Sequence, residues 1–264
     1  MLVHFSKYHG TGNDFILTDG RSLQISPFNS GIIRQLCDRR FGIGADGLII
    51  LEKSENFDFT MKYFNADGRE GTMCGNGGRC ISAFARKLGI VSRKTVFEGI
   101  DGIHTASFSA RGDIRLKLAD VSGLTEMEDG YLLNTGSPHF VKLAENLDEL
   151  DVERLGAEIR QQDRFGPGGV NVNFLEADAH TDQLAVRTFE RGVEGETWSC
   201  GTGVTAAAIM ASFHFNTDRS SFTVRTRGGL LNVAFRREDK QEYRDIYLTG
   251  PALHVYDGTI DIIV

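Results

Sequence analysis

Cysteine is scarce in this chain. Four cysteines in 264 residues are too few for a disulfide framework, and a reducing compartment would hold them as thiols. No apolar run approaches the roughly 20 residues that span a bilayer as a helix. The opening residues, MLVHFSKYHG, lack a basic segment leading into an apolar one, so no signal peptide is expected. Positive charge is not in excess either. A net charge of −7 argues against nucleic acid or an anionic membrane as partner. Metal-ligand spacing is missing: Cys74 and Cys80 do not form a Cys-x2–4-Cys pair, and no Cys or His pair completes a zinc site. What remains is ordinary for a globular protein, 41% hydrophobic and 25% charged, and long enough for one large domain or two of about 130 residues. A cytoplasmic enzyme is the default reading.

Against this background two short stretches stand out because they resemble each other. Glu70-Gly71-Thr72-Met73-Cys74-Gly75-Asn76-Gly77 is echoed by Glu196-Thr197-Trp198-Ser199-Cys200-Gly201-Thr202-Gly203. Each places a cysteine before a Gly-x-Gly turn and then a run that reads as helix. The echo extends along the chain. Thr11-Gly12-Asn13 recurs as Thr135-Gly136-Ser137 and Phe41-Gly42-Ile43-Gly44 as Phe165-Gly166-Pro167-Gly168, both at an offset of 124 residues. Phe64-Asn65 recurs as Phe189-Glu190 at 125, and Cys74-Gly75 as Cys200-Gly201 at 126. Ordered matches at a nearly constant offset imply two homologous halves, each a domain.

Residues 14–19, 48–52, 57–64, 95–98, 103–109 and 114–118 read as strands, and 75–88 as a helix with Ile81, Phe84 and Leu88 on one face and Gly89 as its stop. The second half repeats the plan, with strands at 170–175 and 184–189 and a helix at 202–213. That helix is apolar nearly all round, so it should be buried on all sides, as inside a sheet wrapped around it. Strand character fades at 119–128, which places the domain junction there. The expected domains are 1–118 and 119–251, and two final strands, 253–256 and 260–264, could close either half, a return to the first included. The expected class is α+β: two domains, each a mostly antiparallel or mixed sheet around a central helix, with the active site in the cleft between them.

Cys37 and Cys80 fit the plain reading of buried small hydrophobes. Cys74 and Cys200 do not, because both sit at a glycine-rich turn into a helix and both belong to the repeat. A helix N-terminus presents unpaired N–H groups and partial positive charge, and glycine lets a ligand approach that backbone closely. Such a site holds a carboxylate and favours a thiolate. Two thiols so placed suit a reaction that removes a proton on one side and returns one on the other. Gly42-Ile43-Gly44-Ala45-Asp46-Gly47 matches G-x-G-x-x-G formally, but no strand precedes it and no helix follows, so the dinucleotide context is absent. His139 and Glu190 gain weight from their repeat positions: Glu190 matches Asn65, and His139 lies two residues beyond the position matching Asn13.

These segments resemble one family nearly end to end. Lys7–Phe15 (KYHGTGNDF), Phe41–Gly47, Tyr63-Phe64-Asn65-Ala66-Asp67-Gly68, Met73-Cys74-Gly75-Asn76-Gly77-Gly78-Arg79-Cys80, Val170-Asn171-Val172, Glu190-Arg191-Gly192 and Ser199-Cys200-Gly201-Thr202-Gly203 are similar to diaminopimelate epimerases. Proline racemases share the architecture but usually carry His in place of Asn76. The resemblance implies cofactor-independent interconversion of LL- and meso-2,6-diaminopimelate, on the route to lysine and peptidoglycan, by a homodimer. It implies that Cys74 and Cys200 are the acid/base thiols, tuned by His139, beside Cys74, and Glu190, beside Cys200. Gly75, Asn76, Gly201 and Thr202 would hold the reacting carboxylate, and Asn13, Asn65, Asn171 and Arg191 the distal end, with Glu190 also facing substrate. Two positions depart from the pattern: Ser137 where many members carry Asn, and Gly47 where some carry Gln. The competing readings are a proline racemase or hydroxyproline epimerase with a smaller substrate, and a non-catalytic amino-acid-binding protein.

Overall fold

The computed structural model describes residues 2–21 and 28–262. In chain order its elements are β1 (Leu2–Gly10), β2 (Asn13–Asp19), α1 (Ser30–Cys37), β3 (Gly47–Glu52), β4 (Phe59–Asn65), α2 (Gly75–Lys87), β5 (Lys94–Gly99), β6 (Gly102–Phe108), β7 (Ile114–Lys117), β8 (Val121–Ser122), β9 (Leu124–Met127), β10 (Gly130–Asn134), β11 (Pro138–Leu143), α3 (Val152–Arg160), β12 (Asn171–Ala177), β13 (Gln183–Glu190), β14 (Gly195–Thr197), α4 (Gly201–His214), β15 (Ser221–Thr226), β16 (Gly229–Asp239), β17 (Glu242–Gly250) and β18 (Leu253–Asp261). Two short 3-10 turns flank α3. The chain divides into two compact units, residues 1–116 with 251–264, and residues 117–250. The division falls two residues before the expected boundary, because the Leu118 N–H donates to the Ile246 carbonyl at 2.9 Å and ties this segment to β17.

Each unit is an α+β fold with the same strand plan. In the first, β1 and β2 pair antiparallel, β2 and β3 parallel, β3 and β4 antiparallel, β4 and β5 parallel, and β5, β6 and β7 antiparallel in turn. In the second, β10 and β11 are antiparallel, β11 and β12 parallel, β12 and β13 antiparallel, β13 and β15 parallel, and β15, β16 and β17 antiparallel. The outer neighbour of the first strand has a different origin in each unit. β10 receives β9, which immediately precedes it, whereas β1 receives β18 from the far end of the chain. This last element is one nine-residue strand rather than the two expected, since its pairing to β1 runs on from Leu253 to Asp261 through a single register shift; Ile263 and Val264 lie outside the described residues.

The cores follow from composition. β3, GLIILE, is buried from Gly47 through Leu51, as a strand covered on both faces must be. Leu48 and Ile50 pack with Ile33 and Leu36 of α1. In the second unit α4 is buried from Gly203 through Ser212, as its all-round apolar character requires, and its alanines let Leu133, Val141, Val186, Val224 and Leu248 of the surrounding strands close on it. On the opposite face α3 packs through Gly156, where an added Cβ would lie 2.3 Å from that of Phe189. Among the described residues no helix is long and apolar enough to cross a membrane.

Candidate active site

In the first unit Cys74 is the N-cap of α2, with extended backbone, and its Sγ accepts the Gly77 N–H at 3.2 Å. A side chain at Gly77 would press on that sulfur, also 3.2 Å from an added Cβ. Asn76, the second helical residue, is buried and donates through Nδ2 to Asn13 Oδ1 at 3.2 Å. Asn13 in turn donates to Asp46 Oδ2 at 2.6 Å. The turn thus rests on charge. Arg39 spans Asp46 and Asp14, at 2.7 Å from each, and Lys7 pairs with Asp14 at 2.8 Å. Burial works against the Asp14 carboxylate, yet its bonds to Arg39 and Lys7 prevail and hold its pKa at about 2.

Arg79 lies one turn into the same helix and is fully buried. It donates to Asn76 Oδ1 at 2.8 Å, to the Gly75 carbonyl at 3.1 Å, to Thr11 Oγ1 at 3.4 Å and to the Pro251 carbonyl at 3.3 Å. Burial lowers its pKa to about 10, which leaves it charged at neutral pH. Arg79 orients Asn76: with Oδ1 accepting from the guanidinium, the amide nitrogen is the donor that meets Asn13 Oδ1. Asn65, at the end of β4, stands opposite Gly47 across the β3–β4 pair and accepts from Tyr63 OH at 2.8 Å. Gly47 has no room for a side chain, because an added Cβ would lie 2.5 Å from the Phe64 carbonyl and 2.6 Å from the Tyr63 ring. The Tyr63 ring occupies the space that a side chain at 47 would need.

In the second unit Cys200 is the N-cap of α4, but its sulfur makes no capping bond. Its Sγ lies 3.5 Å from Thr202 Oγ1. Thr202 Oγ1 is 3.0 Å from His139 Nε2, which also meets Ser137 Oγ at 2.9 Å. Asn171 donates to Ser137 Oγ at 3.1 Å and to the Pro138 carbonyl at 3.2 Å, while its Oδ1 accepts the Arg191 N–H at 2.9 Å. The Arg191 guanidinium reaches the Gly168 carbonyl at 3.4 Å. Glu190 closes β13 opposite Gly195. Burial, with the Arg191 charge, lowers the His139 pKa to about 3 against a weak opposing bond from Asn173. His139 is therefore neutral at physiological pH.

The sequence-derived candidates thus fall into two clusters. Asn13, Asn65, Cys74, Gly75 and Asn76 gather at the α2 end of the first unit, and Ser137, His139, Asn171, Glu190, Arg191, Cys200, Gly201 and Thr202 at the α4 end of the second. The His139 contacts described above run toward Thr202 and so toward Cys200. Sequence reasoning passed over Arg79, Tyr63, Asn173 and Thr188. Arg79 stands in the quoted cysteine motif, and Asn173 follows Asn171 at the strand period of two, which puts both on one face. Gly42–Gly47 leads into β3 rather than a helix, as the sequence indicates.

The duplicated sheet-and-helix fold is shared with solved proteins of differing names. The chain superposes on a phenazine biosynthesis protein of the PhzF family from Bacillus anthracis with a TM-score of 0.79 at 15% identity, covering 99% of this chain and 100% of that one. A probable proline racemase from Agrobacterium radiobacter gives 0.69 at 14% identity (99% and 93% covered). A hydroxyproline epimerase from Agrobacterium vitis gives 0.67 at 16% (98% and 92% covered). Sequence narrows the group. The family model for diaminopimelate epimerase matches residues 5–115 and 131–255. The chain is 49% identical over 255 residues to the diaminopimelate epimerase of Flavobacterium psychrophilum (96% of this chain, 98% of the relative). It is 44% identical over 262 residues to that of Chlorobaculum tepidum (96% and 99%). The chain belongs to the diaminopimelate epimerase family and is an isomerase.

Proposed function

We propose that this chain interconverts LL- and meso-2,6-diaminopimelate without a cofactor, using Cys74 and Cys200 as a proton-transfer pair. The observation that carries this reading is a cysteine at the N-cap of each of two repeated helices, each beside a polar second residue, Asn76 or Thr202. The α-proton of an amino acid is far less acidic than a thiol, so a thiolate needs help to remove it. Backbone N–H groups at a helix N-terminus can stabilise charge developing on the carboxylate, an effect of about 3–4 kcal/mol per donor in other enzymes. One thiolate takes the α-proton; the other thiol delivers a proton to the opposite face. For the reverse substrate the protonation states exchange, so the pair balances its own protons.

The second polar end of the substrate distinguishes this reading from a proline racemase. Asn13, Asn65 and Asn171 offer amides suited to both carboxylate and ammonium, and Arg191 can pair a carboxylate bidentately. Tyr63, filling the space beside Gly47, adds a hydroxyl to that set. The product would feed lysine and peptidoglycan synthesis in the cytoplasm. Two copies would associate as a homodimer, for which the exposed Leu253, Val255 and Tyr256 of β18 supply apolar surface.

Incubation with LL-diaminopimelate, meso-diaminopimelate or L-proline in deuterated water tests the reading. Deuterium should enter the α-position of both diaminopimelate isomers and not of proline. Exchange into proline alone would establish the smaller-substrate reading, and exchange into none would leave a binding protein.

A further inference from the structure

Beneath the second cysteine lies a chain of polar side chains whose direction the geometry fixes. Asn173 is fully buried on β12. Its Nδ2 faces the Phe140 carbonyl at 3.2 Å and His139 Nδ1 at 3.1 Å. Its Oδ1 accepts from Thr188 Oγ1 at 2.9 Å. A carbonyl oxygen can only accept, so the atom facing Phe140 is the amide nitrogen, and its second proton goes to His139 Nδ1. The hydrogen-bond pattern thereby assigns His139 the tautomer with its proton on Nε2. That proton is shared between Ser137 Oγ and Thr202 Oγ1, 2.9 and 3.0 Å away. Having accepted from His139, the Thr202 hydroxyl has its own proton to give, and Cys200 Sγ lies 3.5 Å from it.

We infer that Asn173 is a positioning residue which, by fixing the His139 tautomer, orients the Thr202 hydroxyl as a donor to the Cys200 sulfur and so favours the Cys200 thiolate. The relay runs Asn173 to His139 to Thr202 to Cys200, every bond pointing toward the sulfur. Bonds aligned head to tail polarise one another, and a donor to an ionised acceptor is stronger than one to a neutral acceptor. Gly203 belongs to the same device. A Cβ there would lie 2.2 Å from Asn173 Oδ1, so glycine allows the first turn of α4 to sit on Asn173. At the equivalent positions of the first unit the relay has no counterpart. The strand pairings put Phe15, Ile49 and Tyr63 where the second has His139, Asn173 and Thr188.

The inference deepens the two-thiol reading, but its test reads sulfur reactivity and needs no epimerase substrate, so the two can fail separately. Alkylation of the intact protein by iodoacetamide at pH 7, resolved by peptide mass spectrometry, reports the thiolate at Cys200 with Cys74 as internal reference. Asn173→Asp turns the donor to Nδ1 into an acceptor. Nitrogen-15 NMR should show the His139 proton moved to Nδ1. Cys200 alkylation should fall about three- to tenfold, the scale of one lost hydrogen bond, while Cys74 is unchanged. An Nδ1 proton in the unaltered protein, or a moved proton with Cys200 reactivity intact, would overturn the relay. Should Asn173→Asp fail to fold, Thr202→Val and Thr202→Ser decide it. Valine should slow Cys200 by the same factor and serine restore it; equal rates for Val and Thr at position 202 would also overturn the relay.

Discussion

The N-terminus of α2 and the N-terminus of α4 occupy the same place in the same fold, yet they are supported by opposite means. Around Cys74 the supports are ions: Lys7, Asp14, Arg39, Asp46 and the buried Arg79. At the repeat-equivalent positions the second unit has Tyr131, Pro138, Asp163, Val170 and Thr205. The groups linked to Cys200 through Thr202, namely His139, Ser137 and Asn173, are instead neutral and ordered by hydrogen-bond direction. The exchange is clearest one turn into each helix, where Arg79 donates to the Gly75 carbonyl and Thr205 to the Gly201 carbonyl at 2.9 Å. The sulfurs differ accordingly, Cys74 taking a backbone N–H and Cys200 facing a side-chain hydroxyl. A duplicated site need preserve only the turn that aims the thiol. What lies beneath can diverge, and the divergence gives a pseudo-symmetric pair two distinguishable ends.

The largest effect should erase the comparison. Cys74→Ala and Cys200→Ala are each expected to lower turnover at least about a thousandfold, the upper range for loss of one proton-transferring group, with circular dichroism unchanged. A variant that keeps more than a tenth of the activity would show that one thiol suffices. Making the second unit resemble the first comes next. His139→Phe copies Phe15, removes the donor to Thr202 and leaves one Asn173 N–H with only the distant Asn171 carbonyl, at 3.5 Å. An unpaired buried donor costs about 1–3 kcal/mol. Turnover should fall about ten- to a hundredfold on that same scale, and the melting temperature should drop. Full activity in this variant would mean that the neutral support of α4 plays no part in catalysis.

Much of this was legible in the sequence, and the limits have physical reasons. The two helices were legible because a stop glycine and an apolar periodicity mark α2 and a wholly apolar run marks α4. The repeat was legible because its turns need glycine and its caps carry cysteine. β1 was not, since its buried Ser6 and Lys7 break the apolar alternation that reads as strand. The long return of β18 to β1 was legible only as a possibility, for nothing local specifies a partner 250 residues away. Within the site, residues at the turns stood out by motif. Asn173 and Arg79 did not, because a buried polar side chain gains its role from what it meets after folding, and neither residue type announces its partners.

A smaller effect concerns the glycines under each turn. Gly203→Ala should destabilise by about 1–3 kcal/mol, the usual cost of overpacking, because its Cβ would lie 2.2 Å from Asn173 Oδ1, an atom held by Thr188. Gly77→Ala should cost less, since its nearest neighbours, Cys74 Sγ at 3.2 Å and Ile49 Cδ1 at 3.3 Å, are side-chain atoms that can give by a few tenths of an ångström. Urea titration of both variants checks the order, and a larger loss for Gly77→Ala would reverse the assignment of rigidity.

The gentlest probe is acid, because charged and neutral supports should yield at different pH. His139 has a folded pKa of about 3 against an ordinary 6.5. Between those values the unfolded chain holds a proton that the folded one refuses. Stability therefore falls as pH drops through this window, by at most about 1.4 kcal/mol per pH unit for one proton. Asp14 has a folded pKa of about 2 against 3.8, so the stability its ion pairs contribute stays intact above that range and is lost only below about pH 4. Hydrogen exchange, corrected for intrinsic rates, should show α4 and β11 losing protection from about pH 6 downward while α2 and β2 hold until about pH 4. His139→Phe should flatten the first decline and leave the second in place. If α2 opened first, or if the decline survived His139→Phe, the neutral support of α4 would not be what acid removes, and the contrast between the two turns would lie in geometry rather than in charge.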